Sequence, residues 1–228
     1  MSDSGFWAVV PVKELAGAKS RLASMLRPEL RQALMLAMLE DVLAALTLAR
    51  GLAGIAAVTV DPTARRVAKQ YGARIFETGA RDGHTGAVTT AAQVLVEEGC
   101  RGMLTLPGDI PLVTAAEIGR LIEAHRPGRA FTIAPSRDER GSNAILCSPP
   151  DAVPLRFGED SFFPHLAAAR ACGIDATVLR LPGIALDIDT PEDLAAFECV
   201  PLPTRARAVL SGAVGDQWNE LQRGFGAR

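Results

Sequence analysis

The stretch GMLTLPGDIPLV, residues 102–113, indicates the fold class and raises the question of function. Its first half, GMLTL, is a short continuous apolar run, which is typical of a buried strand. Pro107 and Pro111 then stiffen a turn that holds a single carboxylate, Asp109, at the tip of that strand. Asp109 therefore either caps the turn or binds something that requires a fixed carboxylate.

Similar apolar runs alternate with helical patterns along the rest of the chain. The expected strands are residues 6–12, 55–60, 73–76, 102–106, 130–135, 143–148 and 176–181. The expected helices are residues 28–49, 62–71, 87–98, 114–125, 161–171 and 191–198. This alternation predicts an α/β fold in which a mainly parallel, twisted sheet is flanked by helices. We expect one domain over residues 1–200, followed at 201–228 by a C-terminal extension with a helix at Val214–Gln222, or by a loose tail.

The composition excludes several classes of protein. Of the 228 residues, 48% are hydrophobic and 22% are charged, which is globular rather than disordered. A net charge of −2 argues against a nucleic-acid partner. Glu40 and Asp41 interrupt the apolar run at 33–49, which is shorter than the ~20 residues of a membrane span. With no secretory signal and four scattered cysteines, we expect a cytoplasmic protein with reduced thiols and no membrane partner; a homodimer stays open.

The segment VKELAGAKSRL follows the first strand and is rich in cations and small residues. It contains Lys13, Lys19 and Arg21 around the flexible Gly17. Small residues let backbone N–H groups approach a ligand, and the cations can neutralise a triphosphate. Neither a Walker A loop nor GxGxxG is present. The alternative is an ordinary solvated loop.

Two further carboxylates lie in the segment ALDIDTPEDL. Asp187 and Asp189 alternate along an extended segment and so point to the same side. Carboxylates on one face repel each other unless a cation lies between them. Together with Asp109 they predict a site for Mg²⁺, a cation that prefers oxygen ligands and phosphates. The alternative is that Asp189 caps the helix that starts near Thr190.

Two loops carry small hydrogen-bond donors. Gly141-Ser142-Asn143 lies in one loop, and Gly158 and Ser161 lie just before a predicted helix. A helix N-terminus binds anions, so the phosphate or carboxylate of a small acid can sit there. The alternative is ordinary turn and cap chemistry.

Five motifs taken together resemble a known family. PVKELAGAKSRLA, LPGDIPLV, ERGSNA, RFGEDSF and DIDTPEDLAAF occur in this order between Phe6 and Cys199. They resemble the guanylyltransferases of deazaflavin coenzyme (F-420) biosynthesis, which are GT-A-like nucleotidyltransferases with the nucleotide-diphospho-sugar transferase fold. That family joins GTP to 2-phospho-L-lactate, phosphoenolpyruvate or 3-phospho-D-glycerate and releases pyrophosphate.

The resemblance implies a role for each matching residue. Lys19 and Arg21, with Lys13 and Gly17 beside them, would hold the GTP phosphates. Asp109, Asp187 and Asp189 would ligate Mg²⁺. Ser142, Gly158 and Ser161 would contact the acid's phosphate or carboxylate. Lys19, Arg21 and Asp109 would be the catalytic residues.

Two departures from the family pattern concern the acid. Ser142 stands where the family often has threonine, and Gly83-His84-Thr85 stands where it often has Gly-Leu-Asn. An imidazole at His84 can hydrogen-bond a more polar acid, so we expect 3-phospho-D-glycerate to be preferred over phosphoenolpyruvate. The alternative for His84 is a surface histidine.

The rival functions are transfer of CMP or GMP to a sugar acid or a molybdenum cofactor, and a non-catalytic nucleotide-binding module.

Overall fold

The computed structural model describes residues 5–158 and 160–212, so the helix expected at Val214–Gln222 lies outside the described residues. The strands are β1 Phe6–Pro11, β2 Leu52–Val58, β3 Arg74–Phe76, β4 Gly102–Thr105, β5 Ala130–Pro135, β6 Ser142–Ser148 and β7 Thr177–Val178. They form one seven-stranded sheet in the order β3-β2-β1-β4-β6-β5-β7. All neighbours are parallel except that β6 runs antiparallel to β4 and β5. The predicted α/β fold with a mainly parallel sheet is confirmed.

Seven α-helices surround this sheet within the described ranges. They are α1 Pro28–Leu48, α2 Pro62–Gln70, α3 Gly83–Glu97, α4 Ala115–Ala124, α5 Phe162–Ala171, α6 Pro182–Ala185 and α7 Pro191–Glu198. Two 3₁₀ turns at Leu15–Gly17 and Ser20–Leu22 follow β1, and residues 205–212 are also helical. Within the described part of the chain, no helix is both long enough and apolar enough to cross a bilayer.

The core has two layers because side chains alternate along β1. Val10 packs on the α1 face together with Leu39 and Leu43. Val9 packs on the opposite face with Val88 of α3. Since both faces of β1 are covered, every position of β1 is apolar, which explains its continuous apolar run in the sequence.

Local signals place several helix ends where we predicted them. Asp61 accepts hydrogen bonds from the N–H groups of Thr63 and Ala64 at the start of α2. Thr114 and Thr190 form capping boxes with residues three positions later, at the starts of α4 and α7. The three helices therefore begin close to the predicted positions, because each cap depends only on neighbouring residues.

Helix α3, strand β7 and the cap of α5 differ from the prediction. Helix α3 begins at Gly83 rather than at 87, and Thr85 in its first turn accepts the Phe157 N–H at 3.0 Å. Strand β7 has only two residues, Thr177 and Val178, and the short helix α6 starts at Pro182. Ser161 stands at the N-cap of α5 but makes no cap hydrogen bond with its side chain. At the starts of α3 and α5, a contact distant in sequence overrides the local pattern.

The helical residues 205–212 pack against the body of the protein. The Asp41 carboxylate of α1 accepts the N–H groups of Arg205 and Ala206 at 2.9 and 3.0 Å. Ala206 and Leu210 join a buried cluster with residues of α1 and α7. This part of the C-terminal extension therefore contributes to the core.

Candidate functional site

The carboxyl ends of the central strands open into one large cleft, as expected for an open α/β sheet. Its volume of about 1760 Å³ exceeds the roughly 300–1,000 Å³ of a pocket for one ligand, so the cleft has space for more than one small molecule. All eleven residues singled out in the sequence line this cleft. They are Lys13, Gly17, Lys19, Arg21, His84, Asp109, Ser142, Gly158, Ser161, Asp187 and Asp189.

Lys19 lies at the centre of the cleft between two of the predicted carboxylates. Its ammonium Nζ is 2.5 Å from Asp109 Oδ2 and 2.6 Å from Asp189 Oδ1, and its side chain is only 4% exposed. The backbone at Lys19 is left-handed, with φ of +52°, which turns the side chain inward between the two 3₁₀ turns. Burial opposes its charge, but the Asp109 and Asp189 carboxylates outweigh that effect and raise the pKa of Lys19. Its contact is thus with the acidic cluster.

Asp187 completes an acidic cluster with Asp109 and Asp189. Its Oδ1 accepts a hydrogen bond from Asn143 Nδ2 at 3.0 Å. Burial, and then the negative charge of Asp109 and Asp189, raises the pKa of Asp187. The two loops that carry the cluster are joined by the Ile188 N–H, which donates to the Asp109 carbonyl at 3.1 Å. The structure therefore brings Asp109 together with Asp187 and Asp189, which lie far from it in the sequence.

The cluster fits a magnesium ion through its unsatisfied negative charge. Asp109 Oδ1 is buried and has no hydrogen-bond partner among the residues that the structure describes. Across those same residues, no group of three or more acidic, histidine or cysteine side chains is arranged as a metal site by itself. Mg²⁺ bound with a nucleotide needs only one or two carboxylates, because waters and phosphates complete its ligands. Binding of Mg²⁺ therefore stays a prediction, and the carboxylates of the acidic cluster are chemically suited to it.

The cationic loop after β1 is anchored but open to the cleft. The Leu15 N–H donates to Asp61 Oδ2 at 3.0 Å, which ties the loop to the start of α2. Lys13 and Arg21 are exposed on the cleft side. A side chain added at Gly17 would meet no atom within 4 Å, so glycine leaves room there for a ligand.

The part of the cleft wall that carries serine hydroxyl groups, here called the hydroxyl end, has two histidines beside it. Ser142 Oγ lies 2.9 Å from His165 Nδ1 and 3.2 Å from Ser161 Oγ. His84 stacks on Phe157 with ring centroids 4.2 Å apart, and burial lowers the pKa of His84 to about 4. His84 is therefore a neutral, half-buried side chain rather than a freely solvated surface histidine. A side chain added at Gly158 would also meet only open space.

The sequence analysis missed two polar side chains in this region. Asn143 orients Asp187, and His165 contacts Ser142. Asn143 sits within a strand whose other residues are apolar or small, so nothing local marks it. His165 lies four residues after Ser161, and this spacing places both on one helix face, a signal that could have identified it.

Comparison with known proteins supports a single assignment. The family model described as "Guanylyl transferase CofC like" matches residues 6–200. A phosphoenolpyruvate guanylyltransferase of Rubrobacter xylanophilus is 41% identical over 195 residues, covering 84% of this chain and 93% of that protein. A 3-phospho-D-glycerate guanylyltransferase of Colwellia psychrerythraea is 33% identical, covering 93% of this chain and 96% of that protein. A 2-phospho-L-lactate guanylyltransferase of Methanothermobacter thermautotrophicus is 34% identical, covering 89% of this chain and 88% of that protein.

The fold agrees with this assignment. The solved structure of a nucleotide-diphospho-sugar transferase homologue from Desulfovibrio desulfuricans G20 superposes with a TM-score of 0.73 at 18% identity, covering 92% of this chain and 95% of that one. At that identity the likeness shows the fold alone, and it is the fold that the resemblance implied. Three observations lead to one conclusion: the five sequence motifs, the single cleft that the predicted residues line, and the family match over residues 6–200. The chain belongs to the CofC-like guanylyl transferase family and is an enzyme of the nucleotidyltransferase class.

Proposed function

We propose that this enzyme joins GTP to a phosphorylated three-carbon acid and releases pyrophosphate, as a step in the biosynthesis of coenzyme F-420. The observation that carries the proposal is the meeting of Lys19 with three carboxylates inside a cleft that has space for more than one small molecule. The names of the relatives, all guanylyltransferases of phosphorylated three-carbon acids, supply the substrate class.

The proposed reaction is a substitution at the α-phosphorus of GTP. An oxygen of the acid's phosphate forms a new bond to that phosphorus, and the bond from the α-phosphorus to the oxygen that bridges to the β-phosphate breaks. Pyrophosphate leaves with the electron pair of the broken bond. Because the attacking phosphate is already ionised, no strong general base is needed, and catalysis consists of alignment and charge neutralisation.

The cationic loop is suited to the triphosphate. Lys13 and Arg21 line the cleft, and Gly17 leaves space for a phosphate next to the backbone. Arginine can bind phosphate oxygens through two parallel hydrogen bonds. Lys19 and Arg21 would stabilise the negative charge that develops on the departing pyrophosphate.

The acidic cluster is suited to a metal ion. Asp109, Asp187 and Asp189 are the candidate ligands of Mg²⁺, of which an ion bound with a nucleotide needs only one or two, and the ion when bound would supply positive charge to the triphosphate. Asn143 keeps Asp187 oriented through its hydrogen bond, and the Ile188 N–H holds the Asp109 loop in place. These contacts, with the prolines beside Asp109, mean that the carboxylates need little ordering when substrates bind.

The hydroxyl end of the cleft is suited to the acid. Ser142, Gly158 and Ser161 would contact its carboxylate or phosphate. The relatives reported above are named for three different acids, and the one with the highest identity is named for phosphoenolpyruvate, so the argument for another acid rests on His84 alone. Its neutral imidazole faces the cleft and makes no hydrogen bond within the described part of the chain, so it can pair with the hydroxyl of 3-phospho-D-glycerate. We therefore infer that this acid is preferred over phosphoenolpyruvate.

The test is incubation of the purified protein with Mg²⁺, each of four nucleoside triphosphates and each of the three acids, with mass detection of the product. Of the four nucleoside triphosphates, we expect only GTP to give product. Among the three acids, we expect 3-phospho-D-glycerate to give the highest kcat/KM. Product from CTP would instead support a cytidylyltransferase, and tight GTP binding without product would support a nucleotide-binding module.

The variant His84→Leu separates the choice of acid from the reaction itself. It should lower kcat/KM for 3-phospho-D-glycerate more than for phosphoenolpyruvate. A clear preference of the unmodified enzyme for phosphoenolpyruvate would remove the argument from His84 and leave guanylyl transfer intact.

A further inference from the structure

The hydroxyl group of Ser142 is surrounded by polar groups whose hydrogen-bond directions can be assigned. Ser142 and Ser161 line the cleft and are mostly buried, and His165 is fully buried next to Ser142. His165 Nδ1 lies 2.9 Å from Ser142 Oγ, and Ser161 Oγ donates to the same oxygen at 3.2 Å. Which way the Ser142 proton points depends on where the proton of His165 lies.

The backbone determines the proton position on His165. The Arg156 N–H donates to His165 Nε2 at 3.0 Å, so this nitrogen is an acceptor and carries no proton. Burial, followed by the neighbouring His84, lowers the pKa of His165 to about 4, so the ring is neutral near pH 7. A neutral imidazole has one N–H, which must therefore be on Nδ1 and must donate to Ser142 Oγ.

The oxygen of Ser142 then has no acceptor capacity left within the protein. A hydroxyl oxygen accepts through two lone pairs, and here the His165 N–H and the Ser161 O–H occupy both. The remaining Ser142 O–H can only donate, and Ser142 lines the cleft. The site thus presents a directed donor where the proposed function places the acid.

We propose that His165 is a positioning residue of the acid site, which turns the Ser142 hydroxyl proton toward an oxygen anion of the bound acid. The inference rests on the proposed function, since it takes Ser142 to be an acid contact. His165 acts through Ser142 and touches no reacting atom.

The surroundings of His165 keep its ring in this orientation. Phe157 packs edge-on against it, with ring centroids 5.1 Å apart. Phe157 is held in turn by its N–H bond to Thr85 Oγ1 in the first turn of α3. The ring cannot flip without losing the Arg156 N–H bond, so a single tautomer is maintained.

The experiment measures KM for the acid, KM for GTP and kcat in three variants of His165. His165→Leu removes the N–H donor, and His165→Gln moves its polar group away from the Nδ1 position. Both should raise KM for the acid by about tenfold, the equivalent of one hydrogen bond, with KM for GTP little changed. His165→Asn places an N–H donor close to the Nδ1 position and should recover most of the loss.

Two controls separate positioning from folding. His125→Leu removes another buried histidine with two hydroxyl partners, Thr132 and Ser148, and should not change KM for the acid. In a Ser142→Ala background, His165→Leu should add little further loss, because the group that it orients is absent.

The outcomes are distinguishable. Equal losses from His165→Leu in both backgrounds, or an unchanged KM for the acid, would overturn the positioning role while wild-type turnover persists. Should His165→Leu fail to fold, His165→Gln and His165→Asn decide between the same two results. Absence of turnover in the unmodified enzyme with every acid would instead overturn the proposed function.

Discussion

Lys19 is the residue on which the charge balance of the cleft depends. Its ammonium group reaches two carboxylates that lie 90 and 170 positions away in the sequence. Without it, Asp109, Asp187 and Asp189 would face one another in a partly buried space with no compensating charge. A single cation therefore holds the two loops that form this half of the site.

Replacing Asp109 by asparagine should abolish turnover and leave the fold intact. The change keeps the shape of the side chain but removes the charge that contacts Lys19, and we expect kcat to fall by at least about 100-fold. The measurements are pyrophosphate release and the thermal melting temperature. Asp175→Asn, at a side chain that is 87% exposed, is the matched control. Unaffected turnover in Asp109→Asn would remove Asp109 from the mechanism.

Replacing Lys19 by methionine should destabilise the protein by about 1–3 kcal/mol, because Asp109 and Asp189 lose their counter-charge while Asp189 stays partly solvated. Added Mg²⁺ should raise the melting temperature of this variant more than that of the wild type, since the ion can replace the lost charge. Melting curves in EDTA and in Mg²⁺, without nucleotide, provide the test. Lys69→Met, on the exposed end of α2, is the control. Equal responses to Mg²⁺ would contradict the idea.

At this scale the sequence identifies which residue types meet but not how they pair. The cationic loop after β1 and the acidic residues of the cleft were predicted from their positions after strands. The bridge from Lys19 to the aspartates was not, because it depends on a left-handed backbone at a non-glycine residue. His165 and Asn143 were missed because their partners lie 23 and 44 positions away in sequence.

Among the elements, the junction between the 3₁₀ turn at Leu15–Gly17 and α2 links stability to the nucleotide loop. The two oxygens of Asp61 have different partners. Oδ1 caps α2 through Thr63 and Ala64, and Oδ2 accepts the Leu15 N–H. One carboxylate therefore fixes both a helix start and the loop proposed to bind GTP.

Two variants of Asp61 separate these tasks. Asp61→Ala should cost about 1–2 kcal/mol of stability, and Asp61→Ser should cost little because serine also caps helices. Both should raise KM for GTP, since neither keeps the bond to Leu15. Denaturant unfolding and steady-state kinetics provide the two readouts. A wild-type KM for GTP in Asp61→Ser would show that the anchor does not matter for binding.

Elements that end on local chemistry were predictable from sequence, and those that end on tertiary contacts were not. The caps at Asp61, Thr114 and Thr190 involve residues two to three positions apart. The start of α3 contains Gly83 and Gly86, which are weak helix formers, so its early start reflects packing against Phe157.

For the molecule as a whole, the sheet and its two helical layers followed from alternating apolar runs, whereas the antiparallel direction of β6 did not. Strands β5 and β6 read as apolar runs like the others, and the short connection between them permits a direct reversal. The helical residues 205–212 contribute to the stability of the whole molecule. Hydrogen bonds to Asp41 and the buried cluster around Leu210 hold them against α1 and α7.

Ending the chain at residue 203 should reduce stability by about 2–4 kcal/mol relative to a chain that ends at 212. The shorter chain loses the burial of Leu210 and leaves the buried Asp41 carboxylate without its two N–H partners. Denaturant unfolding of the two truncated chains measures the difference. Equal stabilities would mean that the body of the protein is complete without residues 204–212.

The stability of the protein should fall as the pH falls from about 6.5 to about 4. Burial lowers the pKa of all three histidines, His84, His125 and His165, to about 4. The unfolded chain then binds more protons than the folded chain in this pH window. The free energy of unfolding therefore falls, by at most about 1.4 kcal/mol per pH unit for each histidine. The raised pKa of Asp41 and Asp187 opposes this, because their protonation favours the folded state.

Melting curves at several pH values test the histidine effect, and His125→Gln should make the dependence shallower. An equal pH dependence of the melting temperature in His125→Gln and in the wild type would contradict the burial of the His125 ring as a neutral group.

The strand order also affects how the protein is made. Strand β1 is the first of the seven to leave the ribosome, yet it lies inside the sheet between β2 and β4. Strand β2 follows after one helix, whereas β4 follows only after β2, β3 and two more helices. A nascent chain therefore carries an open, apolar strand edge during much of translation. We expect its yield in a cell to depend on how quickly β4 is synthesised, or on a chaperone that shields that edge meanwhile.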